Sequence, residues 1–127
     1  MVHEWSLAES IVAYVKNTGR TKVSRLVVEV GALQGIDVEV LEFSLRELAG
    51  LEGLEIDELK IVERGVVLKC NACGYEWSPD LGSLDPAARE AIHFLPEASL
   101  AFMKCPRCGS RDFTIIAGRG VSILEIS

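Results

Sequence analysis

An α+β fold, two helices packed on a small three-stranded sheet with a separate inserted lobe, is predicted by three features of this sequence. Two stretches carry apolar residues at helical spacing. Short segments between and after them alternate apolar and polar residues as half-buried strands do. Every cysteine falls in one block, residues 66–113, which splits the strand-like segments into two groups.

The elements follow in order. Ser6-Leu7-Ala8-Glu9 fits a capping box, in which the Ser6 hydroxyl and the Glu9 carboxylate satisfy orphan amides at a helix start. Leu7, Ala8, Ile11, Val12 and Val15 form the stripe of that helix, which is expected to end near Gly19. Arg25 to Val30 places Leu26, Val28 and Val30 on one face and Arg25, Val27 and Glu29 on the other, a half-buried strand. Asp37 is positioned to cap a second helix, with the stripe Val38, Leu41, Leu45 and Leu48, and Gly50 is expected to stop it. Leu59 to Val62 reads as the next strand. Val66 to Lys69 leads into the cysteine block and Phe113 to Ile116 leads out of it. Val121 to Ile126 is again strand-like and is expected to return to the first lobe's sheet. The predicted organisation is therefore residues 1–64 plus 119–127 as one lobe and residues 65–118 as an insertion.

Charge narrows the function classes. Residues 1–65 carry seven Lys/Arg against twelve Asp/Glu, and residues 66–113 carry five against six. A nucleic-acid binder presents a basic face to phosphate, and neither lobe has that balance. The apolar runs are only a few residues long, so no bilayer-spanning helix is expected. The start, Met1-Val2-His3-Glu4-Trp5, lacks the basic and apolar regions of a signal peptide, and a cytoplasmic address is expected by default. No serine–histidine–aspartate order, phosphate loop or open-site metal cluster points to an enzyme.

The cysteines carry the strongest signal. Cys70-Asn71-Ala72-Cys73-Gly74 and Cys105-Pro106-Arg107-Cys108-Gly109 are two knuckles of one pattern. Two intervening residues let both sulfurs of a pair face one ion, and the glycine permits the positive φ that turns the backbone away. Two knuckles complete a tetrahedral thiolate site, the chemistry of structural zinc, and the insertion reads as a zinc-ribbon-like lobe. A disulfide framework, a redox dithiol and a rubredoxin-like iron site are the alternatives. Four thiolates leave no open position, so a zinc here is a staple and not a catalyst. Lys69, Lys104, Arg107 and Arg111 lie beside the knuckles and can offset their negative charge. At the N-terminus, a free amine, backbone amides and the His3 imidazole can together offer a near-planar nitrogen set, which suits Ni(II) or Cu(II). His93 is the only other histidine, in Ile92-His93-Phe94-Leu95-Pro96-Glu97, after a short helix that Asp85-Pro86 can open.

His3-Glu4-Trp5-Ser6-Leu7-Ala8, the two knuckles, and Gly118-Arg119-Gly120-Val121 occur in an order that closely resembles the HypA family of [NiFe]-hydrogenase maturation proteins. The resemblance spans essentially the whole chain, and the segment around His93 resembles the family's archaeal branch. It implies a two-helix nickel lobe on a small sheet, a zinc lobe, and nickel binding through the His-Glu pair, here His3 and Glu4. It further implies His93 as an additional nickel ligand, a nucleotide-hydrolysing partner, HypB, and delivery to the hydrogenase large subunit. A monomer or a reversible dimer is expected. The family begins Met-His-Glu, whereas this chain has a valine between Met1 and His3. Removal of Met1 restores the register. Retained, Met1-Val2-His3 is itself an amine, two-amide, imidazole chelate. The competing expectation is a zinc-ribbon adaptor that acts only through protein contacts and takes no second metal.

Overall fold

The computed structural model describes residues 2–95 and 98–127, with the side chains of residues 2, 3, 99 and 100 outside that description. The elements are α1 (Val2–Asn17), β1 (Lys22–Gly31), a 3-10 turn (Ala32–Gln34), α2 (Val38–Leu51), β2 (Glu55–Arg64), β3 (Val67–Cys70), β4 (Glu76–Trp77), a second 3-10 turn (Leu81–Ser83), α3 (Pro86–Phe94), α4 (Ser99–Phe102), β5 (Phe113–Ala117) and β6 (Val121–Ile126). They form two compact units. One comprises residues 1–29, 36–62 and 121–127, and the other residues 30–35 and 63–120.

The first unit is the α+β arrangement the patterning predicts. Its sheet has the order β2-β1-β6, so the strand beyond the cysteine block pairs with β1. β1 is the central strand, and Val23, Leu26 and Val28 on it are fully buried. Ala8, Ile11, Val12 and Val15 of α1 and Leu41, Leu45 and Ala49 of α2 supply the helical side of this core. Asp37 caps α2 as its sequence position predicts, its carboxylate accepting from the Glu39 and Val40 amides at 3.1 and 3.2 Å.

Two local expectations are corrected. α1 already runs from Val2, so Ser6 lies within the helix and Ser6-Leu7-Ala8-Glu9 is not its capping box. The Ser6 carbonyl instead accepts from the Ser10 hydroxyl at 3.2 Å. Extending the helix back by a turn places Glu4, fully buried, against the start of α2. Gly50 does not end α2. The helix passes through it to Leu51, and Gly53 at φ +70° makes the turn, with Leu54 N–H donating to the Ala49 carbonyl at 2.8 Å. A glycine inside a helix only weakens it, whereas a left-handed glycine terminates it.

The second unit is built on the sheet β4-β3-β5, both pairings antiparallel. Leu68 faces Trp77 on one side and Ile115 on the other, and Cys70 faces Phe113. Leu33, Val66, Leu68, Ile92, Met103 and Phe113 form one buried cluster. Asp85 caps α3, accepting from the Ala88 amide at 2.8 Å with Pro86 at the first helical position, and buried Ala88 and Ile92 fix the helix's inner face.

Candidate metal centre

The two knuckles adopt the same backbone. Cys70 N–H donates to the Tyr75 carbonyl and Cys105 N–H to the Ser110 carbonyl, both at 2.8 Å. Gly74 N–H returns to the Cys70 carbonyl and Gly109 N–H to the Cys105 carbonyl, both at 2.9 Å. Gly74 and Gly109 both sit at φ +79°, the conformation for which the pattern requires glycine. The first knuckle is tied to the strand after the second: Asn71 N–H donates to the Asp112 carbonyl at 2.9 Å, and the Thr114 hydroxyl to the Asn71 side-chain oxygen at 3.2 Å.

This places all four sulfurs within 4.8 Å of one another. The Cys70–Cys108 and Cys73–Cys105 sulfur pairs are 3.5 and 3.7 Å apart. A tetrahedron of metal–sulfur bonds of about 2.3 Å has edges of about 3.8 Å, so the donor set fits a four-coordinate ion. Cys70 and Cys105 are buried, whereas Cys73 and Cys108 are exposed.

The electrostatics differ among the four. The Cys73 amide, 3.4 Å from the Cys70 sulfur, outweighs burial and holds the Cys70 thiol down from 9.0 to about 6. At Cys105 burial pushes upward, but amides of Cys108 and Arg107 with the thiols of Cys73 and Cys108 lower it overall. At Cys108 the Ser110 amide favours the thiolate. The Cys70 sulfur, burial and the other two sulfurs prevail and push it to about 12. Two of the nearby cations are engaged in structure. The Arg107 guanidinium lies 5.8 Å from the Tyr75 ring centre, and Arg111 donates to the Ala101 and Met103 carbonyls, both at 3.3 Å.

The remaining metal-site candidates lie elsewhere. His3's side chain is outside the described residues. Glu4 Oε2 accepts the Asp37 N–H at 3.1 Å, while Oε1 is buried and has no hydrogen-bond partner among the described residues. His93 is in the last turn of α3, with Nδ1 against the Gln34 carbonyl. Among the described residues, the cysteines are the one group of three or more His, Cys, Asp or Glu side chains close enough to share an ion. Sequence reading overlooked Gln34 and the role of Asp37 as Glu4's partner, because both contacts are made between residues far apart in the chain.

Residues 2–127 match the family described as "Hydrogenase/urease nickel incorporation, metallochaperone, hypA". The chain belongs to the HypA family. The hydrogenase maturation factor HypA of Thermococcus onnurineus is 42% identical, over 98% of this chain and 94% of the relative. That of Pyrococcus horikoshii is 43% identical over the same shares. A HypA fold is also found in solution structures. The Ni metallochaperone HypA from Helicobacter pylori gives a TM-score of 0.58 at 22% identity, over 98% of this chain and 95% of that one. A second HypA structure gives 0.55 at 23% identity, over 100% and 96%. Both share this chain's α+β fold.

Proposed function

We propose that this chain is a nickel carrier. In this reading it takes up Ni(II) at its N-terminus and, with a nucleotide-hydrolysing partner, HypB, passes it to the large subunit of a [NiFe]-hydrogenase. It works in the cytoplasm as a monomer or reversible dimer and catalyses no reaction itself. The observation that carries the reading is the match of residues 2–127 to a nickel-incorporation family, joined to a cluster of four cysteine sulfurs suited to one four-coordinate ion.

Zn(II) is the resident ion on Cys70, Cys73, Cys105 and Cys108, supplying folding energy and no open coordination site. Ni(II) is the cargo. The first four amides of a helix lack intrahelical partners, and α1 starts at Val2, so the His3 and Glu4 nitrogens are uncommitted to the helix. Together with the terminal amine and the His3 imidazole they offer the nitrogen set that square-planar Ni(II) prefers. The Glu4 carboxylate is engaged at Asp37, so its contribution is to hold this first turn in place. His93 supplies a further imidazole. Carriage requires binding loose enough to reverse, and a dissociation constant near 1 μM corresponds to about -8 kcal/mol.

Nickel titration of zinc-loaded protein, followed by ultraviolet–visible absorption, tests this reading. One nickel per chain is expected for wild type, none for His3→Ala, and unchanged zinc in both. Wild-type nickel affinity in His3→Ala would overturn the site. No nickel binding by wild type would leave a zinc-ribbon adaptor as the better description.

A further inference from the structure

We propose that Gln34, clamped by the Gly118-Arg119-Gly120 turn, is a positioning residue for His93. It fixes the imidazole in the tautomer whose Nε2 lone pair can take a metal ion. The inference rests on the reading of His93 as a nickel ligand and adds the residues that prepare it.

Gln34 ends the 3-10 turn Ala32–Gln34, and that turn is held from several directions. Gly31 N–H donates to the Gly120 carbonyl at 2.8 Å, and Leu33 N–H to the Gly118 carbonyl at 2.9 Å. Gly120 N–H donates to the Gln34 side-chain oxygen. The approach leaves no space for side chains. A Cβ on Gly31 would stand 2.2 Å from the Gly118 carbonyl oxygen, and one on Gly118 would stand 2.5 Å from Val66 Cα. Gly118 and Gly120 also sit at φ +92° and +79°. The Gly-Arg-Gly motif is therefore a mould for residues 31–34.

The carbonyl so fixed is the one His93 Nδ1 meets. A carbonyl oxygen only accepts, so Nδ1 must carry the proton. A neutral imidazole has one N–H, so the lone pair lies on Nε2. Metal-bound histidines are oriented in this way by a carbonyl or carboxylate on the other nitrogen. The opposite partner is equally constrained. Asp85 and Pro86 start α3, Ile92 is buried beside His93, and a Cβ on Gly35 would stand 3.3 Å from His93 Nδ1. Ring and carbonyl thus meet as two fixed groups.

The test uses full-length, zinc-loaded protein and nickel sulfate. Long-range proton–nitrogen spectra of the His93 ring, recorded above the ordinary imidazole range near ~6.5, report the tautomer directly. The Nδ1–H form is expected in wild type and in Gln34→Glu, which keeps the acceptor for Gly120 N–H. A shift toward Nε2–H is expected in Gln34→Ala. Nickel affinity should fall about ten-fold or more in Gln34→Ala, as for other outer-shell partners of metal ligands. It should recover in Gln34→Glu and fall no further in Gln34→Ala/His93→Ala than in His93→Ala alone. An Nε2–H tautomer in wild type overturns the proposal without any variant. Weakened nickel binding in His93→Ala but not in Gln34→Ala overturns the positioning role alone. Wild-type affinity in His93→Ala brings down the ligand reading, and the proposal with it.

Discussion

Cys70 and Cys108 show how two residues of one pattern acquire opposite chemistry. With its thiol held down at about 6, Cys70 favours the thiolate near neutral pH within the folded cage. Its folded value lies below 9.0, so it adds stability that is complete above about pH 9 and lost as pH falls through about 6. Cys108, pushed to about 12, behaves in reverse: its contribution is complete below 9.0 and lost as pH rises through about 12. Metal loading requires all four thiolates, so protons must leave on binding. A cage that stayed folded without metal would hold Cys70 already ionised and release fewer than four protons on zinc binding at neutral pH, whereas a lobe that unfolds without metal presents ordinary thiols and releases close to four. Calorimetry in buffers of different ionisation enthalpy measures this number; a release close to four is expected, and one well below four would show that the cage is folded before the metal binds. The cysteine site was legible in the sequence because knuckle spacing is a local property. Which sulfur keeps its proton was not, since that depends on amides and sulfurs brought together by folding.

At the scale of elements, the helix starts show what local sequence can and cannot determine. Asp37 and Asp85 cap α2 and α3 through amides two or three residues onward, so their roles were readable from a few neighbouring letters. The Ser6-Glu9 pattern has the right letters too, yet α1 starts earlier because Glu4 is drawn to Asp37, 33 residues away. A buried carboxylate accepting the N–H at the start of a helix also meets the positive end of that helix's dipole. Glu4→Ala removes this acceptor and leaves the Asp37 amide without its partner. A loss of about 1–3 kcal/mol is expected, read as a lower urea midpoint with an unchanged slope. A loss of a few tenths of a kcal/mol would mean that water replaces the carboxylate, and that Glu4 is dispensable for joining the two helix starts. His93 illustrates the same limit. Its helix and cap were legible, whereas its partner Gln34 lies 59 residues distant and carries no signal in the sequence around the histidine.

For the whole molecule, the division into two units separates two kinds of stabilisation. The first has buried faces from two helices and a central strand. The second has a six-residue buried cluster beside the cysteine cage. On the proposed reading of the cage as a zinc site, a lobe of this size depends on its metal in the way small zinc domains do. Chelation of zinc is therefore expected to abolish dispersed amide signals for residues 66–113 while those of α1, α2 and β1 up to Glu29 persist. Uniform loss across both groups, in a single transition, would show that the units do not fold separately.

The sheet order β2-β1-β6 also has a temporal meaning. A ribosome makes the chain from its N-terminus, so α1, β1, α2 and β2 emerge first, followed by both cysteine pairs, and only then Val121–Ile126. Until that point β1 has one neighbour and an open edge, the kind of edge that recruits strands from other chains. The cage can close on its metal while the older part of the protein is still waiting for its third strand. Zinc supply during synthesis thus bears on how promptly β6 is presented to β1, and a zinc-starved cell should accumulate this protein as aggregate.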